Sequence, residues 1–252
     1  MASPVLTTSL MRQWEQATWA TGKTESEVIE RVGEIVARRA LTMTKPGDLI
    51  LILAGRGHNG DDARSTQPHL KDREVTLLNV TDPVAASTEF GQLTARRSNL
   101  IMDASWRYHQ RTATPSPHAE GVGRGPGRGE FSNHLAHGPP HPDPLFPPRE
   151  EREFDRLNRG GVVKIRPLII DGLFGIGLNR PLDKQWTQFI EQINQTRIPI
   201  LAVDLPSGLN ADTGETFGAA VRATVTLTLG AIKTGLLGAA AWPFVGRLEV
   251  AQ

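Results

Sequence analysis

Three short, uninterrupted apolar runs constrain the fold of this chain more than any other feature. They are LILILA from Leu49, PLIID from Pro167 and IPILAVD from Ile198. A strand that is apolar on both faces is covered on both faces, which is typical of parallel sheets lined by helices. Thr24 and Glu27 match a capping box, which predicts the start of a helix before the first run. The apolar residues that follow have helical spacing, so one face of this helix should be buried. Helical patterns therefore alternate with buried strands.

Further patterns continue this alternation. VTLLNV and ATVTLTLG are of strand length, and the apolar residues from Trp186 to Ile193 have helical spacing. In ATVTLTLG threonine alternates with Val or Leu, so we expect a strand near an edge with one wetter face. Strands alternating with helices predict an α/β fold, a Rossmann-like three-layer αβα sandwich with a central, mostly parallel sheet.

One segment, at about 107–159, differs from the rest in composition. It contains half of the 18 prolines and five of the seven histidines, and few large apolar residues. Such a segment buries too little apolar area to offset its ordering entropy. We therefore expect residues 1–252 to form a single domain that is interrupted by a low-complexity, disordered insertion. A divalent metal site at its histidines is a weaker alternative, because a proline-rich tract gives them no fixed backbone.

Composition excludes several classes of function. The 28 Lys and Arg residues nearly balance the 27 Asp and Glu residues, so no strong single-sign field would attract nucleic acid or an anionic membrane. With no Cys among the 252 residues, thiolate catalysis and Cys-ligated metal sites are excluded. The apolar runs are shorter than the ~20 residues of a membrane span, and the first residues lack a signal-peptide core. We expect a cytoplasmic protein with neither nucleic-acid nor membrane partners.

A glycine-rich turn, AGRGHNGDDA, follows LILILA. Gly55, Gly57 and Gly60 match the G-x-G-x-x-G pattern of dinucleotide binding, and Asp82 lies at the end of the next strand. A tight turn without a ligand would explain the same glycines. Asp61 and the aspartate after it suit the positive end of a helix but would repel a phosphate there.

Two other strands end on a single aspartate. Asp171 closes PLIID and Asp204 closes IPILAVD, and a turn-rich loop follows each of them. A carboxylate at such a buried position is costly unless it serves a ligand, an ion or a helix terminus. Capping of the following turns remains the simpler alternative. Ser207 lacks the G-x-S-x-G context of a hydrolase nucleophile, so a turn hydroxyl or an oxygen ligand is the better interpretation.

Four motifs in order, GRGHNGDDA, DGLFGIGLNRPL, VDLPSGLNADTGE and TLGAIKTGLL, resemble those of the N-terminal YjeF domain, the NAD(P)H-hydrate epimerase family. The resemblance covers nearly all of the chain outside 107–159. It implies a Rossmann-like homodimer that holds a potassium ion. It also implies an isomerase that interconverts the R and S forms of NADHX and NADPHX, in nicotinamide cofactor repair with an S-specific NAD(P)HX dehydratase.

The resemblance also implies site residues. It assigns Asp204 to catalysis and substrate binding, and Asn59, Asp171 and Ser207 to potassium. The further substrate-binding positions that it implies are His58, Asn59, Gly60, Asp61, Asp62, Gly175, Ile176, Gly177, Leu178, Asn179 and Arg180.

The chain departs from the family pattern at several places. His58 stands where the family turn has an amide side chain. Asp61 and Ala63 stand where the family turn has glycine, and we expect the Asp61 side chain to narrow the space over the helix terminus. Pro68 falls where the next helix should continue, so that helix should be short or kinked.

For the reaction, we expect the ring nitrogen's lone pair to expel the C6 hydroxyl, and water to return on the opposite face. Asp204 would protonate the departing oxygen and then accept a proton from the incoming water. Arg180 would bind the dinucleotide phosphates. Two alternatives stay open: a non-catalytic nucleotide-binding module of the same fold, and an NAD-dependent oxidoreductase that uses the three glycines and Asp82.

Overall fold

The computed structural model describes residues 3–95 and 166–251, so the predicted insertion at 107–159 lies outside the described residues. Within these ranges the α-helices are α1 Thr8–Ala20, α2 Glu25–Met43, α3 His58–Arg64, α4 Pro83–Ala95, α5 Lys184–Gln195 and α6 Trp242–Val245. The strands are β1 Val5–Leu6, β2 Leu49–Ala54, β3 Glu74–Asn79, β4 Leu168–Gly172, β5 Ile200–Val203, β6 Val225–Leu229, β7 Ile232–Lys233 and β8 Arg247–Ala251.

Six of these strands form one sheet in the order β3-β2-β4-β5-β6-β8. Every neighbouring pair in it is parallel. The chain passes from β2 to β3 on one side and then returns to place β4 on the other side of β2. The strand order therefore reverses between β2 and β4, and a ligand of such a sheet binds beyond the carboxyl ends at that point.

Alternate side chains of β2 enter two cores, one on each face of the sheet. Ile50 and Ile52 pack with Val36 of α2, whereas Leu51 packs with Phe90 of α4 and Phe189 of α5. Both faces are thus covered by helices, and the predicted three-layer α/β sandwich is confirmed.

The prediction of a wetter face on β6 is wrong. β6 lies between β5 and β8, and both Thr226 and Thr228 are buried. Thr226 donates a hydrogen bond to the Val245 carbonyl over 2.7 Å, and Thr228 donates to the Ala231 carbonyl over 3.2 Å. Because backbone carbonyls accept hydrogen bonds from both hydroxyls, the threonines of this strand can alternate with apolar residues and still be buried on both faces of the sheet.

The predicted shortening of the helix after the glycine turn is confirmed. α3 ends at Arg64, and Pro68 lies in a separate 3-10 turn, Gln67–His69. Proline lacks the N–H that a helix interior needs, so the α-helix cannot run through it.

A two-stranded parallel ladder fixes α1. Val5 pairs with Ile232 and Leu6 with Lys233, which joins β1 to β7. The Thr7 side chain caps α1, and the Thr8 amide donates a 2.6 Å hydrogen bond to Asp212 in the loop after β5. These contacts hold α1 against the carboxyl edge of the large sheet. No helix in the described ranges is both long and apolar enough to span a bilayer.

Candidate active site

Loops from β4 and β5 meet at a buried carboxylate. The Asp171 side chain is fully buried and accepts hydrogen bonds from the Ser207 hydroxyl at 2.6 Å, the Ser207 amide at 2.9 Å and the Leu173 amide at 3.2 Å. The Phe174 amide donates to the Ser207 hydroxyl oxygen over 2.9 Å. Burial raises the pKa of Asp171 to about 6, although these hydrogen bonds favour its charged form.

The first turn of α3 adds an amide to this cluster. Asn59 Nδ2 donates a 2.9 Å hydrogen bond to the Phe174 carbonyl. Asn59 Oδ1 is buried and has no hydrogen-bond partner within the described part of the chain. An unpaired buried acceptor costs about 1–3 kcal/mol. The structure therefore brings Asn59, Asp171 and Ser207 together and leaves one buried oxygen for a ligand.

Close backbone approaches explain the glycines of this region. A Cβ on Gly55 would lie 1.9 Å from the Leu173 carbonyl oxygen, and one on Gly60 would lie 2.0 Å from the Gly55 carbonyl oxygen. A Cβ on Gly172 would lie 2.4 Å from the Ala63 side chain. The glycines thus allow β2, β4 and α3 to pack closely, which is a reason for them that requires no phosphate.

A cavity of about 730 Å³ opens at this edge, where the strand order reverses. α1, the first turn of α3, the loop after β4 and the ends of β5, β6 and β7 surround it. The predicted site residues that line it are His58, Asn59, Asp62, Gly175, Ile176, Gly177, Leu178, Arg180 and Asp204.

Asp204 follows β5 with a left-handed backbone (φ 68°) and is almost fully buried. Its Oδ1 accepts a 3.0 Å hydrogen bond from the Leu229 amide and an ion-paired hydrogen bond from Lys233. The Lys233 ammonium is only 1% exposed, and it also donates to the Leu229 carbonyl at 3.0 Å and to the Thr228 hydroxyl at 3.2 Å. All three ammonium protons thus have acceptors, which is the condition under which a buried cation is tolerated.

Two further carboxyls, Asp62 and Glu15, line the same cavity as Asp204. Burial raises the pKa of Asp62 to about 7, helped by repulsion from Asp204, Asp61 and Glu15. Burial and the charge of Asp204 likewise raise the pKa of Glu15, while Lys233 opposes the rise. Two carboxyls with raised pKa values thus line the cavity that contains Asp204, a feature that is common in acid–base sites.

The rim of this cavity is basic. Arg12 of α1, Arg56 of the glycine turn and Arg180 of the loop after β4 line it, and all three are exposed. Guanidinium groups bind phosphate oxygens through paired N–H donors. The cavity therefore combines acidic groups inside with anion-binding groups outside.

Three of the predicted substrate residues do not line this cavity. Gly60 is buried against Gly55, and Asn179 borders a neighbouring hollow of about 520 Å³. Asp61 forms a 2.6 Å ion pair with Arg64. The narrowing of the space over the helix terminus by Asp61 stays a prediction, since its carboxylate is paired with Arg64 and Asp61 is not among the residues that line the cavity.

The structure does not place Asp82 beside the cavity that the glycine-rich turn borders, as the dinucleotide pattern had suggested. The Asp82 side chain accepts a 2.9 Å hydrogen bond from the Val84 amide, at the start of α4. Asp82 is absent from the residues around the cavity. Its position after β3 is explained by capping.

Two groups stand out among the cavity residues that the sequence reasoning missed. One group lies on α1 and includes Glu15 and Trp19; the other is Lys233. Both reach the cavity through the pairing of β1 with β7, and two-residue strands leave no periodic pattern to detect. The TLGAIKTGLL motif contained Lys233, but spacing alone did not indicate its ion pair.

Comparison with known proteins identifies the family. The family model for the YjeF-related protein N-terminus matches residues 147–235. An NAD(P)H-hydrate epimerase of Achromobacter xylosoxidans is 30% identical over 86% of this chain and 79% of its own length. One of Limosilactobacillus fermentum is 28% identical over 100% of this chain and 98% of its own length.

A solved structure agrees in fold. The crystal structure of yeast ynu0, YNL200c, superposes with a TM-score of 0.53 at 17% identity, covering 92% of this chain and 82% of that one. The full-length similarity to curated relatives, the matched motifs and this fold lead to one conclusion: the chain belongs to the NAD(P)H-hydrate epimerase family, which carries the YjeF-related N-terminal fold.

Proposed function

We propose that this protein is an NAD(P)H-hydrate epimerase, an isomerase that interconverts the R and S forms of NADHX and NADPHX. Relatives that this chain matches over 98% and 79% of their own length bear that name. The observation that carries the proposal is the cavity, which presents the buried Asp204 carboxylate inside a rim of three arginines. This layout suits a ligand with a cationic reacting ring and an anionic pyrophosphate.

A potassium ion fits the oxygen cluster beside this cavity. The orphaned Asn59 Oδ1 is an acceptor that needs a donor or a cation. The Asp171 carboxylate and the Ser207 hydroxyl add hard oxygen ligands, the type that alkali ions prefer. Within residues 3–95 and 166–251, no group of three or more acidic, His or Cys side chains is placed to hold a metal ion. Asn59, Asp171 and Ser207 would hold the ion, and its charge would offset the buried carboxylate.

The chemistry follows from the Asp204 side chain. Expulsion of the C6 hydroxyl by the ring nitrogen leaves a cationic ring, and a fixed, largely buried carboxylate stabilises developing positive charge. Asp204 then accepts a proton from the water that adds to the opposite face. Its left-handed backbone and its hydrogen bonds to Lys233 and Leu229 hold the carboxylate in one orientation.

Arg180, with Arg12 and Arg56, would bind the dinucleotide phosphates at the rim. His58 and the loop of Gly175 to Leu178 would contact the nicotinamide half, because they line the same cavity as Asp204. We further propose, from the family resemblance, that the chain is a homodimer and works with a dehydratase that consumes the S form.

A coupled assay tests the function. Racemic NADPHX is treated with an S-specific dehydratase until conversion stops at half, and the protein is then added in potassium buffer. We expect conversion to proceed to completion. Asp204→Asn should prevent this, whereas Glu191→Gln, an exposed position on α5, should behave like the wild type. If conversion stays at half with the wild type, the proposed function is wrong; tight binding of NADPHX without conversion would then favour the non-catalytic module.

A further inference from the structure

The two oxygens of Asp204 are not equivalent. Oδ1 accepts hydrogen bonds from Lys233 and the Leu229 amide, and the Thr228 hydroxyl lies 3.5 Å away. No described residue donates to Oδ2, and Asp204 lines the cavity. Oδ2 is therefore the oxygen that can exchange a proton with a ligand.

The ion pair also fixes the protonation state of Asp204. Lys233 is buried, and its ammonium has no other carboxylate partner among the described residues. Protonation of Asp204 would leave that ammonium buried without a counter-charge, which is strongly unfavourable. Asp204 is thus ionised in the resting protein, which suits a base, and it acts as an acid only in the reverse direction, after it has taken up a proton.

Epimerisation nevertheless needs an acid, because hydroxide is a poor leaving group unless it is protonated as it departs. Asp62 lines the same cavity from the first turns of α3. Its carboxyl receives no hydrogen bond from the described residues, in contrast to Asp61, which pairs with Arg64. The charged groups that act on Asp62 are Asp204, Asp61 and Glu15, which favour its neutral form, and Lys233, which opposes them.

We propose that Asp62 is a second catalytic carboxyl, the acid that complements Asp204 as the base, with Lys233 as the positioning residue that decides which of the two is ionised. This inference rests on the proposed epimerase function and deepens it. Two carboxyls whose surroundings separate their protonation states are a common basis for assigning acid and base. The raised pKa of Asp62 agrees with this division.

In one direction of the reaction, Asp62 supplies a proton to the leaving oxygen and Asp204 receives one from the incoming water. The C6–O bond breaks with its electron pair going to oxygen, and the Asp62 proton moves to that oxygen, so that water leaves. The ring nitrogen's lone pair compensates the positive charge at C6. A second water forms the new C6–O bond on the opposite face and gives a proton to Asp204 Oδ2. Exchange with solvent then resets both carboxyls, and the reverse reaction uses the opposite protonation states.

The test measures kcat and KM of the full chain in potassium buffer from pH 5.5 to 9, with R-form NADPHX and excess S-specific dehydratase. For the wild type we expect kcat to fall above about pH 7 as Asp62 ionises. Asp62→Asn should lower kcat by about 100-fold or more, with little change in KM and no alkaline fall. Asp62→Glu keeps an acid and should recover part of kcat together with the alkaline fall, and Glu191→Gln is the matched control.

The other outcomes distinguish a failure of the proposed function from a failure of this inference. An inactive wild type would overturn both the proposed function and this inference. An active wild type with an Asp62→Asn variant of unchanged kcat, or of raised KM alone, would overturn only the inference and make Asp62 a binding residue. Lys233→Met should lower kcat and move the alkaline limb to higher pH, because Lys233 opposes the raised pKa of Asp62; an unchanged pH profile would remove Lys233 from its role. Should a variant fail to fold, carboxyl NMR titration of the wild type decides, since Asp62 must hold its proton to about pH 7; a proton that is lost near pH 4 would overturn the inference.

Discussion

Replacing Asp62 by Asn should make the protein more stable, by an amount that depends on pH. Burial and three neighbouring carboxylates raise the pKa of Asp62 from 3.8 to about 7. A group whose pKa is higher in the folded state binds its proton more tightly there than in the unfolded chain. Stability is therefore lost as pH rises from about 4 to about 7, and the loss is complete above that range.

The size of the effect follows from the same pKa. A rise from 3.8 to about 7 corresponds to roughly 4 kcal/mol. Because Asp62 is only partly buried, water screens some of this cost, and we expect about 2–4 kcal/mol above pH 7. Asn has nearly the same shape and no charge, so Asp62→Asn should recover that free energy at pH 8 and almost none at pH 4.

Urea unfolding at intervals between pH 4.5 and 8.5 measures this difference directly. The free energy of unfolding of Asp62→Asn should exceed that of the wild type increasingly with pH, with a thermal midpoint raised by roughly 10 °C at pH 8. Asp171 also has a raised pKa, but it contributes equally to both proteins and cancels. The control Glu191→Gln should show no pH-dependent gain. A constant difference between pH 5 and pH 8 would refute the argument, because it would mean that Asp62 ionises in the fold without cost.

Four further predictions follow from the geometry. Potassium chloride should raise the thermal midpoint relative to tetramethylammonium chloride at equal ionic strength, and Asn59→Ala should abolish that difference; an equal rise in both salts would argue against the ion site. Gly55→Ala should cost about 3 kcal/mol or more in urea unfolding because its Cβ would meet the Leu173 carbonyl, whereas Gly177→Ala, with open space around it, should cost little. Arg180→Ala should raise KM with kcat nearly unchanged, and the KM of the wild type should rise with ionic strength more steeply than that of the variant. Removing residues 107–159, which we propose to be an insertion in a single domain, should leave the thermal midpoint unchanged, and a large decrease would mean that the segment contributes to the fold.

The central strands could be predicted because a strand that is buried on both faces has an uninterrupted run of apolar residues. LILILA could only be covered on both sides, and its alternate residues do enter two different cores. The pattern failed for β6, since a threonine whose hydroxyl donates to a backbone carbonyl can be buried as completely as valine. Alternation of Thr with apolar residues thus indicates a strand without indicating which face meets water.

The site was predictable where topology alone determines position. Asp171 and Asp204 end neighbouring strands, and the carboxyl ends of parallel strands share one edge, so their loops had to approach each other. Lys233 and α1 were not predictable by this reasoning. Their placement depends on the pairing of Leu6 with Lys233 from opposite ends of the chain, and nothing local to either segment records it.

Asp62 is expected both to destabilise the fold when it ionises and to act as the catalytic acid, and the variant Asp62→Asn tests both expectations. A carboxyl kept neutral by its surroundings destabilises the fold when it ionises, and the same surroundings make it an acid near neutral pH. Asp62→Asn should therefore be more stable at pH 8 and slower in turnover. A purely structural residue would lose stability and rate together, and a purely binding residue would change KM and leave kcat intact. A gain in stability accompanied by a loss of kcat is consequently the result that separates a catalytic acid from both alternatives, and the two measurements use the same protein samples.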